Sequence, residues 1–316
     1  MVDVVTVTMN PSIDISSTVE RVMPTRKLRC TPEHRDPGGG GINVARVLQR
    51  FGIDVAAAYP AGGSSGRLLH RLLDAERISS LEVEIAGGTR EDFTILDRGT
   101  GEQFRFVLPG PRMTRAELQQ VLNRIAALTP TPGFVVASGS LPPGAPDSLY
   151  AEVGAIAKHI GSRFVLDSSG AALRCALEAG VYLVKPSLRE LGELLGRELG
   201  SESDWHRAAA ELVRSGKAEI VALTLGERGA LLATARGVLR AEVPPVEVVS
   251  IVGAGDCFLG GMLASLVRDG RLAEAFRFGV AAGSAAVQMP GTALCVRGDV
   301  ERLVGKVKLI EERLDA

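Results

Sequence analysis

Neither sign of charge dominates this sequence: thirty-six basic residues stand against thirty-seven acidic ones, a net charge of −1. No overall field favours nucleic acid or an anionic membrane, so an anionic ligand must be held locally. Cysteine and histidine are scarce. Cys30, Cys175, Cys257 and Cys295 include no C-x-x-C pair, and His34, His70, His159 and His206 stand far apart, which excludes a disulfide framework and a zinc site. Each cysteine reads as a small buried hydrophobe. No run of about 18 apolar residues occurs, and the opening MVDVVTVTMNPS has no basic region leading into an apolar stretch, so no membrane span is expected and the cytoplasm is the expected compartment. The motif G-x-x-x-x-G-K-[ST] is missing, and the nearest approach to G-x-G-x-x-G, at Gly253, has Phe258 in place of the third glycine. Two common nucleotide-binding folds thereby lose support. Repeats, low-complexity tracts and linkers are also missing.

What is present suits one large core. A chain of 316 residues, 46% of them hydrophobic, is long enough for a single α/β unit spanning 1–316, with at most a small accessory element. Strand-like runs occur at Val2–Val7, Val55–Tyr59, Phe134–Ala137, Phe164–Leu166, Val181–Val184 and Ile220–Leu225, separated mostly by helix-period stretches. Strands alternating with helices predict a mainly parallel sheet covered on both faces. Two stretches break the rhythm, at about 12–35 and 85–108, where Thr, Val, Ile and Phe suggest short paired strands. Together they predict a small β element placed to cover a cleft at the carboxyl ends of the main strands.

The most informative segment is Ser250-Ile-Val-Gly-Ala-Gly-Asp-Cys-Phe, a glycine-rich turn entering an apolar helix. Unpaired amides of Gly253, Ala254 and Gly255 at a helix start would stabilise an anion, and Asp256 in the first turn would accept a proton from an attacking hydroxyl. An ordinary helix cap explains the Asp as well. A second cluster, Gly38 to Gly41 with Asn43, also opens a helix running to about Phe51; four glycines in a row suggest backbone contact with a ligand, a flexible hinge being the alternative. Lys185-Pro-Ser-Leu-Arg-Glu190 starts a third helix, where Lys185 would meet phosphate and Glu190 would hold water around Mg²⁺. A capping box between Ser187 and Glu190 fits equally. Thr224-Leu-Gly-Glu-Arg-Gly-Ala is a strand and a glycine turn, suited to a nucleotide or to a simple hairpin, and Asp14, Lys27, Arg90 and Arg105 fall in or beside the two insertions.

The order of these motifs resembles the ribokinase-like PfkB carbohydrate kinases, with a G-G motif before N-x-A and a later G-A-G-D. Likeness to the minor, type 2 bacterial 6-phosphofructokinase branch covers residue 1 to about 300, including Lys27–Thr31, Pro37–Arg46, Ser138–Gly144, Asp167–Gly170 and Phe278–Ala286. The resemblance implies a ribokinase-like three-layer α/β/α core with a β-sheet lid, a homodimer packed through that lid, and phosphoryl transfer from MgATP to the 1-hydroxyl of fructose 6-phosphate. It implies sugar contacts from Asp14, Gly39, Gly40, Asn43 and Ser140, contacts near the 6-phosphate from Arg90 and Lys27 (Lys27 from a partner subunit), a further substrate contact from Arg105, and nucleotide contacts from Lys185, Ser187, Thr224, Gly226, Gly229 and Ser284. Glu190 would act on magnesium through water, and Asp256 would be the base. Three departures stand out: Ser187 replaces the usual Asn of N-x-x-E, Ile251 replaces a usual threonine, and Met23 stands where an aromatic would stack better on a second ATP.

Fructose-1-phosphate and tagatose-6-phosphate kinases share the implied fold and base but typically carry G-G-K-G where this chain has four glycines. The missing lysine favours the 6-phosphofructokinase reading. A sensor of sugar phosphates without turnover is the alternative from another class, set against the intact Asp256 and its glycines. A nicotinamide dehydrogenase is disfavoured because the turn at Asn10-Pro11 has no glycine fingerprint.

Overall fold

A computed structural model describes residues 2–312. The β-branched opening run forms β1 (Val4–Val7), buried throughout because it lies inside a ten-stranded sheet. The sheet runs β14 (Lys308–Glu312), β13 (Gly237–Glu242), β12 (Ala230–Thr234), β11 (Ala218–Thr224), β10 (Val181–Val184), β9 (Arg163–Asp167), β8 (Phe134–Ser138), β1, β4 (Val55–Ala61) and β5 (Ser79–Glu84). Every pairing from β5 to β11 is parallel, and β12 to β14 add on antiparallel. Four of these strands, β5, β12, β13 and β14, give no clear signal in the sequence. The segment Ser79–Glu84, SSLEVE, is an edge strand that buries only Val83 fully, too little alternation to read.

Alternate residues of β1 serve opposite cores. Val4 joins the cluster beneath α1 (Gly40–Arg50), α2 (Gly63–Ala75), α8 (Ala254–Asp269), α9 (Leu272–Ala286) and α10 (Arg297–Val304). Val5 and Val7 join the cluster beneath α3 (Arg115–Ala126), α4 (Leu149–His159), α5 (Gly170–Ala179), α6 (Leu188–Leu195) and α7 (Glu202–Arg214). Two apolar clusters on the two faces of a single sheet make the three-layer α/β/α arrangement.

The departures from the strand–helix rhythm form a second sheet of four strands, ordered β3 (His34–Gly38), β2 (Ser12–Val19), β6 (Arg90–Asp97) and β7 (Gln103–Phe106). Its bounds differ from the two stretches read in the sequence. The first reaches Gly38, so the glycine run begins inside a lid strand, and the second begins at Arg90, because the chain up to Glu84 belongs to the main sheet. Asp97 closes the far end of this lid. Its carboxylate accepts from the amides of Val22, Gly99 and Thr100 at 2.8, 2.9 and 3.1 Å, and these bonds, that to Val22 first, hold its pKa below the ordinary value. Phe93, Phe106, Val107 and Leu108 leave the lid exposed as apolar surface, Val107 by 58%.

Candidate active site

Parallel strands deliver their carboxyl ends to one edge of the sheet, which here gathers Ser138 and Asp167 at the last positions of β8 and β9, Lys185 just after β10 and Thr224 at the end of β11. The start of α8 faces this edge. Its first flanking residue, Gly253, has a φ of 74° and offers no side-chain cap, so no side chain covers the amide end of the helix, where Ala254 N–H donates to Ile251 O at 3.4 Å. Gly255 lies close to Lys185, where an added Cβ would stand 3.3 Å from Nζ. Lys185 is buried and its ammonium is 3.1 Å from Asp167 Oδ1. Burial alone would lower its pKa, but Asp167, Asp256 and Glu190 hold it above the ordinary value, so it stays charged.

Asp256 lies in the first turn of α8, and its Oδ2 accepts from Asn43 Nδ2 at 2.9 Å. Burial, then the Asp167 carboxylate, push its pKa up from 3.8 to about 7, against the Asn43 hydrogen bond and the Lys185 charge. That poises a carboxylate for proton transfer near neutrality. Asp167 carried no assigned role in the sequence, although a carboxylate ending a buried parallel strand is a signal for this edge.

The glycine run has a packing cause as well. Each of its glycines packs against protein: an added Cβ would come within 2.2 Å of Asp14 Oδ1 at Gly38, 2.6 Å of Thr8 Cγ2 at Gly39, 2.3 Å of Ser138 Oγ at Gly40 and 2.5 Å of Thr8 Oγ1 at Gly41. The run therefore does serve packing, pressing the start of α1 onto β1 and β8. It is no free hinge either, because Arg46 ties it to the body through Pro37 O at 3.2 Å and Asp36 at 3.0 Å.

Asp14 projects from β2 beside Ser12, whose hydroxyl donates to it at 2.6 Å. Burial raises its pKa, with Asp92 adding and Ser12, Arg105 and Arg90 opposing, which places Arg105 and Arg90 within electrostatic reach of it. Arg90 is almost fully enclosed; its guanidinium donates to Leu108 O at 2.7 Å and Asn10 O at 3.2 Å and lies 3.2 Å from Asp92. Asn10, seen in the sequence only as part of a loop, donates to Pro109 O at 3.1 Å and Ser140 Oγ at 3.4 Å. Asn10 and Arg90 thus tie the lid's return to the main sheet. Lys27 is exposed on the segment between β2 and β3, and among the described residues no hydrogen bond or ion pair joins it to this group.

On the other side of Asp256 opens a cleft of about 1570 Å³, whose wall includes Ser187, Thr224, Gly226, Gly229, Gly255 and Ser284. Ile251 stands on the same wall, 76% exposed. The turn after Thr224 is a hairpin into β12 and also lines the cleft. Gly229 has a φ of 90° and a Cβ there would meet Ala241 O at 2.0 Å. Ser187 and Glu190 form the capping box of α6, with Ser187 N–H donating to Glu190 Oε2 at 2.8 Å. Glu190 Oε1 lies 3.7 Å from the Arg189 guanidinium, and the carboxylate also acts on Lys185 and Asp167.

A family model for pfkB family carbohydrate kinases matches residues 2–298. The chain belongs to this family. Among kinases of the family, it is 45% identical over 299 residues to an ATP-dependent 6-phosphofructokinase isozyme 2 of Mycobacterium tuberculosis, covering 95% of this chain and 88% of the other. A 1-phosphofructokinase of Bacillus subtilis is more distant, 35% identical over 280 residues, 89% of this chain and 91% of that one. The crystal structure of Escherichia coli phosphofructokinase-2 in complex with fructose-6-phosphate superimposes with a TM-score of 0.91 at 39% identity, covering 97% and 99% of the two chains. The tetrameric inhibited form of that E. coli protein gives 0.90 at 38% identity over the same shares.

Proposed function

We propose that this pfkB kinase is an ATP-dependent 6-phosphofructokinase. It transfers the γ-phosphoryl group of MgATP to the 1-hydroxyl of fructose 6-phosphate, releasing fructose 1,6-bisphosphate and ADP. The observation that carries the reading is Asp256, a carboxylate with a pKa near 7, standing at an uncapped helix start between the lid-side group and the large cleft. The relatives named 6-phosphofructokinase at higher identity, and four glycines where a lysine marks the 1-phosphofructokinases, select this substrate over fructose 1-phosphate or tagatose 6-phosphate.

In this reading Asp256 takes the proton as the sugar O1 attacks phosphorus, and the bond to the β-phosphate oxygen breaks. The Gly253–Gly255 amides and the Lys185 ammonium receive the charge on the transferring group. Asn43, Asp14, Gly39, Gly40 and Ser140 orient the sugar; Arg90 and Arg105, with Lys27 of the partner subunit, take the 6-phosphate. Ser187, Thr224, Gly226, Gly229 and Ser284 receive the nucleotide. Magnesium would neutralise the triphosphate. Glu190, whose carboxylate acts on Lys185 and Asp167, would hold water on that cation.

We read residues 1–316 as one kinase unit whose lid closes over the sugar and excludes water. The exposed lid residues Phe93, Phe106, Val107 and Leu108 fit a homodimer packed through that surface. No described helix is long and apolar enough to cross a membrane. ADP release from MgATP and fructose 6-phosphate, present in the wild type and lost in Asp256→Asn, tests the reading; no ADP from the wild type with any phosphosugar would overturn it.

A further inference from the structure

The turn Gly226–Arg228 on the cleft wall has glycine on both sides of its charged residues, with φ of 63° at Gly226 and 90° at Gly229. Its own backbone bonds are short-range: Leu225 N–H donates to Gly229 O at 2.9 Å, Gly229 N–H to Gly226 O at 3.0 Å and Arg228 N–H to Leu225 O at 3.3 Å. Glycines cannot anchor a turn through side chains. Arg228 can, and its guanidinium carbon lies 4.5 Å from the ring centre of Trp205 on α7. Among the described residues no carboxylate pairs with Arg228, so the indole face is its partner. Trp205 is itself fixed, 5% exposed, with Nε1 donating to Leu199 O at 2.9 Å. Arg228 and Leu199 both line the cleft. The stack therefore links the glycine turn to α7 on one side of the cavity.

We propose that Arg228 is a nucleotide-positioning residue for the kinase reaction: stacked on Trp205, it holds the Gly226–Gly229 turn in the shape that receives a nucleoside triphosphate. The inference rests on reading the cleft as the nucleotide site. It also makes Trp205 a sensor, because a nucleotide that presses on the turn shifts a cation lying over the indole, and the chain has a single tryptophan.

The test compares wild type, Arg228→Ala, Arg228→Gln and Arg228→Lys by steady-state kinetics, tryptophan emission and calorimetry with ATP. Arg228→Ala and Arg228→Gln raise the KM for ATP about three- to tenfold, the scale of one cation–π contact, while kcat and the KM for fructose 6-phosphate hold and Tm falls by no more than about 4 °C. Arg228→Lys restores most of the loss, since an ammonium also binds the ring face. ATP changes the wild-type emission with the affinity that calorimetry gives. An unchanged KM for ATP in Arg228→Ala, a loss confined to kcat and Tm, or calorimetric ATP binding with no change in emission overturns the inference and leaves the kinase reading standing. Failure of the wild type to bind ATP overturns both.

Discussion

Asn43 Nδ2 lies 2.9 Å from Asp256 Oδ2 and joins two helix starts that are 213 residues apart in sequence. One end of this bond belongs to the glycine run that meets the lid, and the other to the helix start that faces the nucleotide cleft. The contact fixes the rotamer of the proposed base from the sugar side. It also opposes the burial that raises its pKa.

Replacement of the base gives the first expectation. Asp256→Asn lowers kcat about 10²- to 10⁴-fold, the usual contribution of a positioned general base, and changes the KM for ATP and for fructose 6-phosphate far less. In the wild type, log kcat/KM falls on the acid side through an apparent pKa of about 7. Asn43→Ala removes a bond that stabilises the carboxylate and moves this limb to higher pH; Asp167→Asn removes a like charge and moves it lower. Initial rates across the pH range check all three.

Stability carries the same signature with a definite sign. Between pH 3.8 and about 7 the folded protein retains on Asp256 a proton that the unfolded chain has lost, so stability falls as pH rises through that window. Each pH unit within it costs about 1.4 kcal/mol, and the loss reaches up to about 4 kcal/mol above pH 7. Asp256→Asn therefore raises Tm by several degrees at about pH 8.5 and barely alters it at about pH 4. Calorimetric melts without ligand measure the difference, and an equal effect at both pH values contradicts it.

Two glycine substitutions separate the two halves of the site. Gly40→Ala drives a Cβ to 2.3 Å from Ser138 Oγ and 3.0 Å from backbone atoms of Ser138 and Gly139, displacing α1 from β8; its larger effect falls on the KM for fructose 6-phosphate. Gly229→Ala meets Ala241 O at 2.0 Å from a backbone with φ of 90°, and its larger effect falls on the KM for ATP. Gly229→Ala costs roughly 1–3 kcal/mol of stability from backbone strain, and Gly40→Ala roughly 1–3 kcal/mol from overpacking. Substrate titrations of the two variants show whether the losses divide this way.

Assembly through the lid gives a fourth expectation. Phe106→Asp places a charge on a residue that is 56% exposed in the single chain, so the monomer folds with an unchanged Tm while sedimentation shows a weakened dimer. Lys27→Ala raises the KM for fructose 6-phosphate about tenfold, as loss of one phosphate-binding cation does, with the same sedimentation profile as wild type. A monomeric wild type at micromolar concentration contradicts both.

Much of this architecture is legible in the residues, because buried parallel strands are written as unbroken apolar runs. Val181–Val184 has the bounds read from the sequence, and Phe134–Ser138 and Val55–Ala61 extend the runs read there by one and two residues. Edge and antiparallel strands such as Ser79–Glu84 and Gly237–Glu242 are short and half-buried, so their pattern resembles loop. Asp256 was legible from local glycine chemistry at a helix start. Asp167 was not, because its effect on Asp256 comes only when β9 and β10 place it beside Lys185. The glycine run was legible as special, but its packing role was not, since Thr8, Asp14 and Ser138, the side chains it packs against, are remote in sequence.

The most direct test is a coupled ADP-release assay of the purified wild-type protein with MgATP, offering fructose 6-phosphate, fructose 1-phosphate and tagatose 6-phosphate in turn. The expected result is the highest kcat/KM for fructose 6-phosphate, with fructose 1,6-bisphosphate as product. A higher kcat/KM for fructose 1-phosphate or tagatose 6-phosphate, or no ADP from any of the three, contradicts it.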